Sequence, residues 1–181
     1  MAEVKSGRRP YEGTEVAYEK TQQEVVKLLG KHFAVEKASW AVPLVAKKVA
    51  GAFEIETKDG VRLTIGYEVP LPALETLERE VRASSRTWLN DDQARKKAEA
   101  EQEQRARELH RCILHDVKAR IETARAGIET TEQAFMTRYV AFDKNGAAHP
   151  VGEVVMAGLR QLAAKGLLPS PTALLPEPRA A

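Results

Sequence analysis

The sequence predicts an α+β fold: a small antiparallel sheet packed with an N-terminal helix and a long charged helix, followed by short C-terminal helices. Three observations carry this expectation. Strict alternation in "VAGAFEIETKDGVRLTIGYEVPLP" reads as two strands with one apolar face. The run "DDQARKKAEAEQEQRARELHRCILHDVKARIETARAG" has no proline, and no glycine before its last residue, so it reads as one helix. A chain of 181 residues, 43% hydrophobic and 30% charged, suits a single core carrying an exposed, charged helix.

Taken in order, residues 1–13 place Lys5, Arg8 and Arg9 among Gly7, Pro10 and Gly13, the composition of a flexible basic arm. A single domain is expected over 14–166. Thr21 and Glu24 have capping-box spacing, with Tyr18 as an earlier start, and Val25, Leu28, Leu29 and His32 fall on one helix face. "FAVEKASWAV" is rich in strand formers. Phe53, Ile55 and Thr57, then Val61, Leu63, Ile65 and Tyr67, alternate with polar or small residues across an Asp59-Gly60 turn. Pro70 and Pro72 stop the second strand.

Leu74, Leu77 and Val81 give a helix that Ser84 and Ser85 interrupt, and Asn90 or Asp91 caps the long helix, expected over about 91–127. Its 85–108 half has few large apolar residues, so it is expected to project or self-associate. Thr130 or Thr131 opens a short helix, Asn145-Gly146 suggests a small hairpin, and "GEVVMAGLRQLAAKG" reads as a last helix. Residues 167–181 form a proline-rich tail.

With the segments laid out, Thr21, Glu24, Pro70-Leu71-Pro72, Arg111, Lys118-Ala119-Arg120, Gly127-Ile128, Thr130, Phe135, Gly146 and Val151-Gly152-Glu153 form an ordered series. In that order they resemble a family of small uncharacterised proteins encoded by bacteriophages and prophages. The resemblance implies phage origin and a place in the host cytoplasm, and it transfers no active site. His110, His115 and Asp116 depart from that family's pattern.

The chemistry is narrow. A net charge of +2 is only mildly basic, so phosphate binding would need clustered cations rather than bulk charge. One cysteine, Cys112, excludes an intramolecular disulfide and fits a reducing compartment. No apolar run reaches the ~18 residues of a membrane span, and "MAEVKSGRRP" lacks an apolar signal region. Phosphate-loop, G-x-S-x-G, C-x-x-C and H-E-x-x-H motifs are absent.

"ELHRCILHDVKARIE" gathers two histidines, a cysteine and an aspartate. At ~100° per residue, His110 and Cys112 point ~200° apart and cannot share an ion. His110 belongs at the edge of an apolar stripe of Ile113, Val117, Ile121, Ala124 and Ile128, while Cys112, His115 and Asp116 share a polar side. Neither a metal nor a cofactor is expected, and no nucleophile, so the protein reads as non-enzymatic.

Arg107, Arg111, Lys118 and Arg125 line up on the adjoining face, a linear surface able to follow a phosphate backbone. Arg86 and Trp88, just upstream, offer a cation and an aromatic for base stacking. Glu108 and Glu122 compete as local ion partners of Arg111 and Lys118. The leading expectation is a phage accessory protein contacting DNA or RNA, or a nucleoprotein complex, through this stripe. The alternative is an assembly or interaction module that pairs with itself or with a host or phage protein.

Overall fold

The computed structural model describes residues 9–56, 60, 62–85, 87–142, 148–152, 155, 160 and 161. The elements run α1 (Tyr18–Gly30), β1 (Ala34–Trp40), α2 (Pro43–Ala46), β2 (Lys48–Glu56), β3 (Arg62–Pro70), α3 (Leu74–Ser84), α4 (Asp91–Arg125), α5 (Thr131–Phe135), a 3-10 turn (Met136–Arg138), β4 (Val140–Phe142) and β5 (Ala148–Pro150). The α+β architecture is the one the sequence predicts. A three-stranded antiparallel sheet, ordered β1-β2-β3, packs with α1 and with the C-terminal half of α4.

Alternation decides which sheet face is buried. β2 buries Val49, Gly51, Phe53 and Ile55, and β3 opposes them with Ile65 and Tyr67 in the register Phe53↔Ile65 and Gly51↔Tyr67. Gly60, at φ +77, follows the strand end, but the rest of the expected Asp59-Gly60 turn lies outside the described residues. Trp40 lies opposite Gly51 on β1, and a Cβ there would sit 2.7 Å from the indole. The missing side chain lets the ring settle edge-on to Phe53, 5.2 Å between centroids.

α1 begins at Tyr18, so Thr21 is not its cap. Thr21 is buried and its hydroxyl donates to Ala17 O at 3.5 Å, while Val25 and Leu29 enter the core. The later helices start where their polar residues demand. Asn90 accepts from Gln93 N at 2.8 Å and the Gln93 side chain accepts in turn from Asn90 N, and Thr130 and Gln133 repeat this box for α5. α4 ends in a Schellman closure: Gly127 N donates to Ala124 O and Ile128 N to Thr123 O. Ile128 therefore leaves the helical period and is 75% exposed rather than part of the apolar stripe.

The N-terminal half of α4 does not project freely. Ala94, Ala98 and Gln102 are buried, as are Leu77 of α3 and Leu89 before α4, while Ala106 already belongs to the main core. Alanines let two helices approach closely, and polar groups pin the crossing: Gln102 Nε2 donates to Pro72 O at 2.8 Å, Arg105 pairs with Glu80 at 2.7 Å and Arg82 with Asp91 at 2.5 Å. Counting large apolar residues missed this mode of burial.

The antiparallel pair β4-β5 supports the expected C-terminal hairpin, although its turn at Asn145-Gly146 lies outside the described residues. So do most of the expected last helix, residues 1–8 of the arm and the proline-rich tail. Among the described residues no helix is long and apolar enough to cross a membrane.

Candidate nucleic-acid interface

The predicted stripe occupies one flank of α4, and the structure places α1 beside it. Arg111 reaches across to Glu24 of α1 at 3.0 Å, with Arg111 only 22% exposed at the side chain. Arg107 pairs with Glu103 one turn earlier, and Arg125 with Glu122 at 3.4 Å. Lys118 is exposed and has no ion partner among the described residues. The expected four-cation line is thus partly neutralised, and the partner of Arg111 is a residue of another helix rather than Glu108.

The Glu24–Arg111 bridge has a consequence for α1. Lys20, Lys27 and Lys31 stand four residues before, three after and seven after Glu24, which puts them on its helix face. All three are exposed and have no ion partner among the described residues. Arg107 and Lys118 hold the matching positions around Arg111. The ion pair thus makes a seam between the cationic flank of α4 and α1, whose lysines stand on the Glu24 face; Lys27 also borders the groove toward Ala38 and Trp40 of β1. The spacing of the α1 lysines was visible in the sequence, but not that α1 lies against this flank of α4.

Arg86 falls outside the described residues. Trp88 is 86% exposed, but it precedes α4, and Arg107 comes about 24 Å further along the helix axis. Trp88 does not join the seam. Of the sheet-region cations, Lys48 pairs with Glu68 at 3.0 Å and Lys47 is exposed.

The residues of "ELHRCILHDVKARIE" divide among separate environments. His110 is fully buried rather than at the edge of the apolar stripe: its ring lies 5.4 Å from Tyr18 and 5.3 Å from Trp40. Its Nδ1 sits 2.7 Å from Ala106 O and must carry the proton, which leaves Nε2 to accept from Gln22 Nε2 at 3.0 Å. Burial holds this imidazole below its ordinary pKa, and so neutral. Burial, with Glu108 nearby, pushes the Cys112 thiol up, which disfavours a thiolate.

Asp116 turns toward the sheet rather than to solvent. It accepts from Tyr67 Oη at 2.9 Å and Arg120 Nε at 2.8 Å, and Arg138 Nε lies 3.3 Å away without donating a hydrogen bond. The Arg138 guanidinium stands 4.8 Å from the centre of the Tyr67 ring. Burial alone would raise the Asp116 carboxyl, but the bonds from Arg120 and Tyr67 outweigh it and hold the group below its usual range. The same burial, with Asp116 beside it, pushes the Tyr67 hydroxyl far up. This cluster joins α4 to β3 and the 3-10 turn.

His115 is exposed at its own position, yet Tyr11 stacks on it with centroids 4.7 Å apart. The arm is therefore not free over its whole length. Arg9 pairs with Glu101 at 2.7 Å and lies 3.6 Å from Glu108, Gly13 N donates to Glu108 at 3.4 Å, and Gln104 donates to Thr14 O at 3.2 Å. Glu108 is 4% exposed beneath these contacts. Among the described residues no group of three His, Cys, Asp or Glu side chains is placed to hold a metal ion.

No protein-family model matches this chain, and no curated protein or solved structure matches it either.

Proposed function

We propose that this protein is a non-enzymatic accessory protein, of the phage type its sequence resembles, that contacts nucleic acid along the α1–α4 seam. One observation supports the reading above the others: the Glu24–Arg111 bridge ties the flank of α4 that carries Lys118 to the helix of Lys20, Lys27 and Lys31, which have no ion partner among the described residues. Cations on two neighbouring helices follow a phosphate backbone better than one line does, because a duplex presents its phosphates as curved rows. Lysines that neutralise phosphates release the counterions condensed on the nucleic acid, so affinity is expected to be salt-dependent and largely independent of sequence. The bridged arginines contribute orientation more than charge, since each already has a carboxylate.

The test is a salt-titrated anisotropy measurement with labelled single- and double-stranded DNA and RNA. If four lysines neutralise phosphates of duplex DNA, affinity should fall about 100-fold between 50 and 200 mM salt. Lys20→Glu/Lys27→Glu/Lys118→Glu should abolish binding. No binding at low salt, or full binding by this variant, would overturn the reading.

A second reading has an observation of its own. Val42, Leu44 and Val45 cluster around α2, exposed by 61%, 44% and 81%. Such a knuckle suits an interaction or assembly module, with a host or phage protein or a second copy as partner. A solution mass well above the 20.0 kDa of one chain, returned to one chain by Val45→Lys, would favour it.

A further inference from the structure

Glu108 stands three residues before Arg111 on α4, the spacing of a local ion pair. The structure does not pair them. Glu108 is enclosed by the arm instead: one carboxylate oxygen takes the Gly13 amide at 3.4 Å and Gln104 Nε2 at 3.3 Å, and the other faces Arg9 Nε at 3.6 Å. Arg111 is left to reach Glu24. We infer that residues 9–14 act as a clasp that withdraws Glu108 from Arg111, and that Arg9 is thereby a positioning residue for the cationic seam. The inference rests on the reading of that seam as a nucleic-acid surface.

A carboxylate three residues away on the same helix is the natural competitor of Glu24 for the Arg111 guanidinium, since both accept the same fork of donors, and the Glu24 bridge is what ties α1 to this flank of α4. Covering Glu108 with the Arg9 charge and the Gly13 amide removes that competitor. The clasp also has a second hold, which fixes its position: the Tyr11 ring lies on His115 at an interplanar angle of 17°, one turn beyond Arg111. Tyr11 takes φ +60 to do so, and Gly13 follows at φ +77, which turns its amide into the carboxylate. Without Arg9, Glu108 keeps its charge and loses its cation; of the two arginines three residues away on the helix, Arg105 already holds Glu80 and Glu101, whereas Arg111 holds Glu24 alone.

The test separates this role from direct phosphate contact by Arg9. Arg9→Ala, Glu108→Gln and the double variant are compared with the unaltered chain by anisotropy on a labelled DNA duplex at low salt. Arg9→Ala should weaken binding about fivefold, the scale of one ion pair. Glu108→Gln should bind at least as well as the unaltered chain, and the double variant should return to its affinity. A double variant as weak as Arg9→Ala overturns the inference, because the loss would then not depend on the Glu108 carboxylate.

The His115 ring-proton shifts, read by NMR without nucleic acid, keep the clasp testable by itself. Stacking under Tyr11 should displace them in the unaltered chain, and Tyr11→Ala should remove the displacement. Equal shifts in the two proteins would show that the clasp does not form. A chain that shows the stacking but binds no nucleic acid loses the proposed function while the clasp stands.

Discussion

From Asp91 to Gln102, α4 buries two alanines and a glutamine on the side that packs with α3; from Ala106 to Arg125 it buries Ala106, His110, Ile113, Leu114, Val117 and Ile121 beside the sheet and α1. One helix thus uses two kinds of packing. The first half gains little from transfer of apolar area, and relies on close approach with polar pins at Gln102, Arg105 and Asp91. The second half buries large aliphatic side chains, each contributing roughly 1.5–3 kcal/mol by burial. The difference predicts that the first half is sensitive to added volume and the second to lost volume.

The largest effect should come from the second half. Ile113→Ala should cost about 2–5 kcal/mol, read as a lower urea midpoint with an unchanged slope. In the first half, Ala98→Leu should cost roughly 1–3 kcal/mol, because the added carbons meet α3 at a fully buried position. If Ala98→Leu were neutral, the two helices would not be closely packed there.

The smallest effect concerns His110, which lies just past the junction of the halves. Its folded pKa lies below the unfolded value near 6.5, so the unfolded chain binds the extra proton first. Its contribution is fully present above pH 6.5 and is lost as pH falls toward the folded pKa. The loss should stay under about 1.4 kcal/mol over the first pH unit. Melting curves of the unaltered chain and His110→Gln should converge as pH drops through this window. Parallel pH profiles would show that the imidazole does not titrate there.

Local rules made much of the fold legible. The capping boxes at Asn90 and Thr130, the alternation through Phe53 and Ile65, and the proline stop after β3 each depend on residues within one element and its ends. The candidate surface was legible only on its α4 side. Helical spacing put Arg107, Arg111, Lys118 and Arg125 on one face, but the partners of those charges lie up to 87 positions away, as Glu24 does from Arg111. A separation of 49 positions likewise hid the partner of Asp116, whose flank of α4 meets Tyr67. Spacing along a helix says which residues share a face, and says nothing about what that face meets.

β4 lies against β3 where residue 66 is glycine. A Cβ at Gly66 would stand 2.5 Å from Cγ2 of Val140, and the neighbouring Ile65 and Tyr139 form an isolated bridge. One hydrogen in place of a methyl group therefore acts as a keyway for the C-terminal strand pair. Because Gly66 points away from the main core, a larger residue there would unseat that pair and leave the rest of the fold standing. A chain could lose or regain its C-terminal piece through a single carbon atom, while the helices that carry the charges stay where they are.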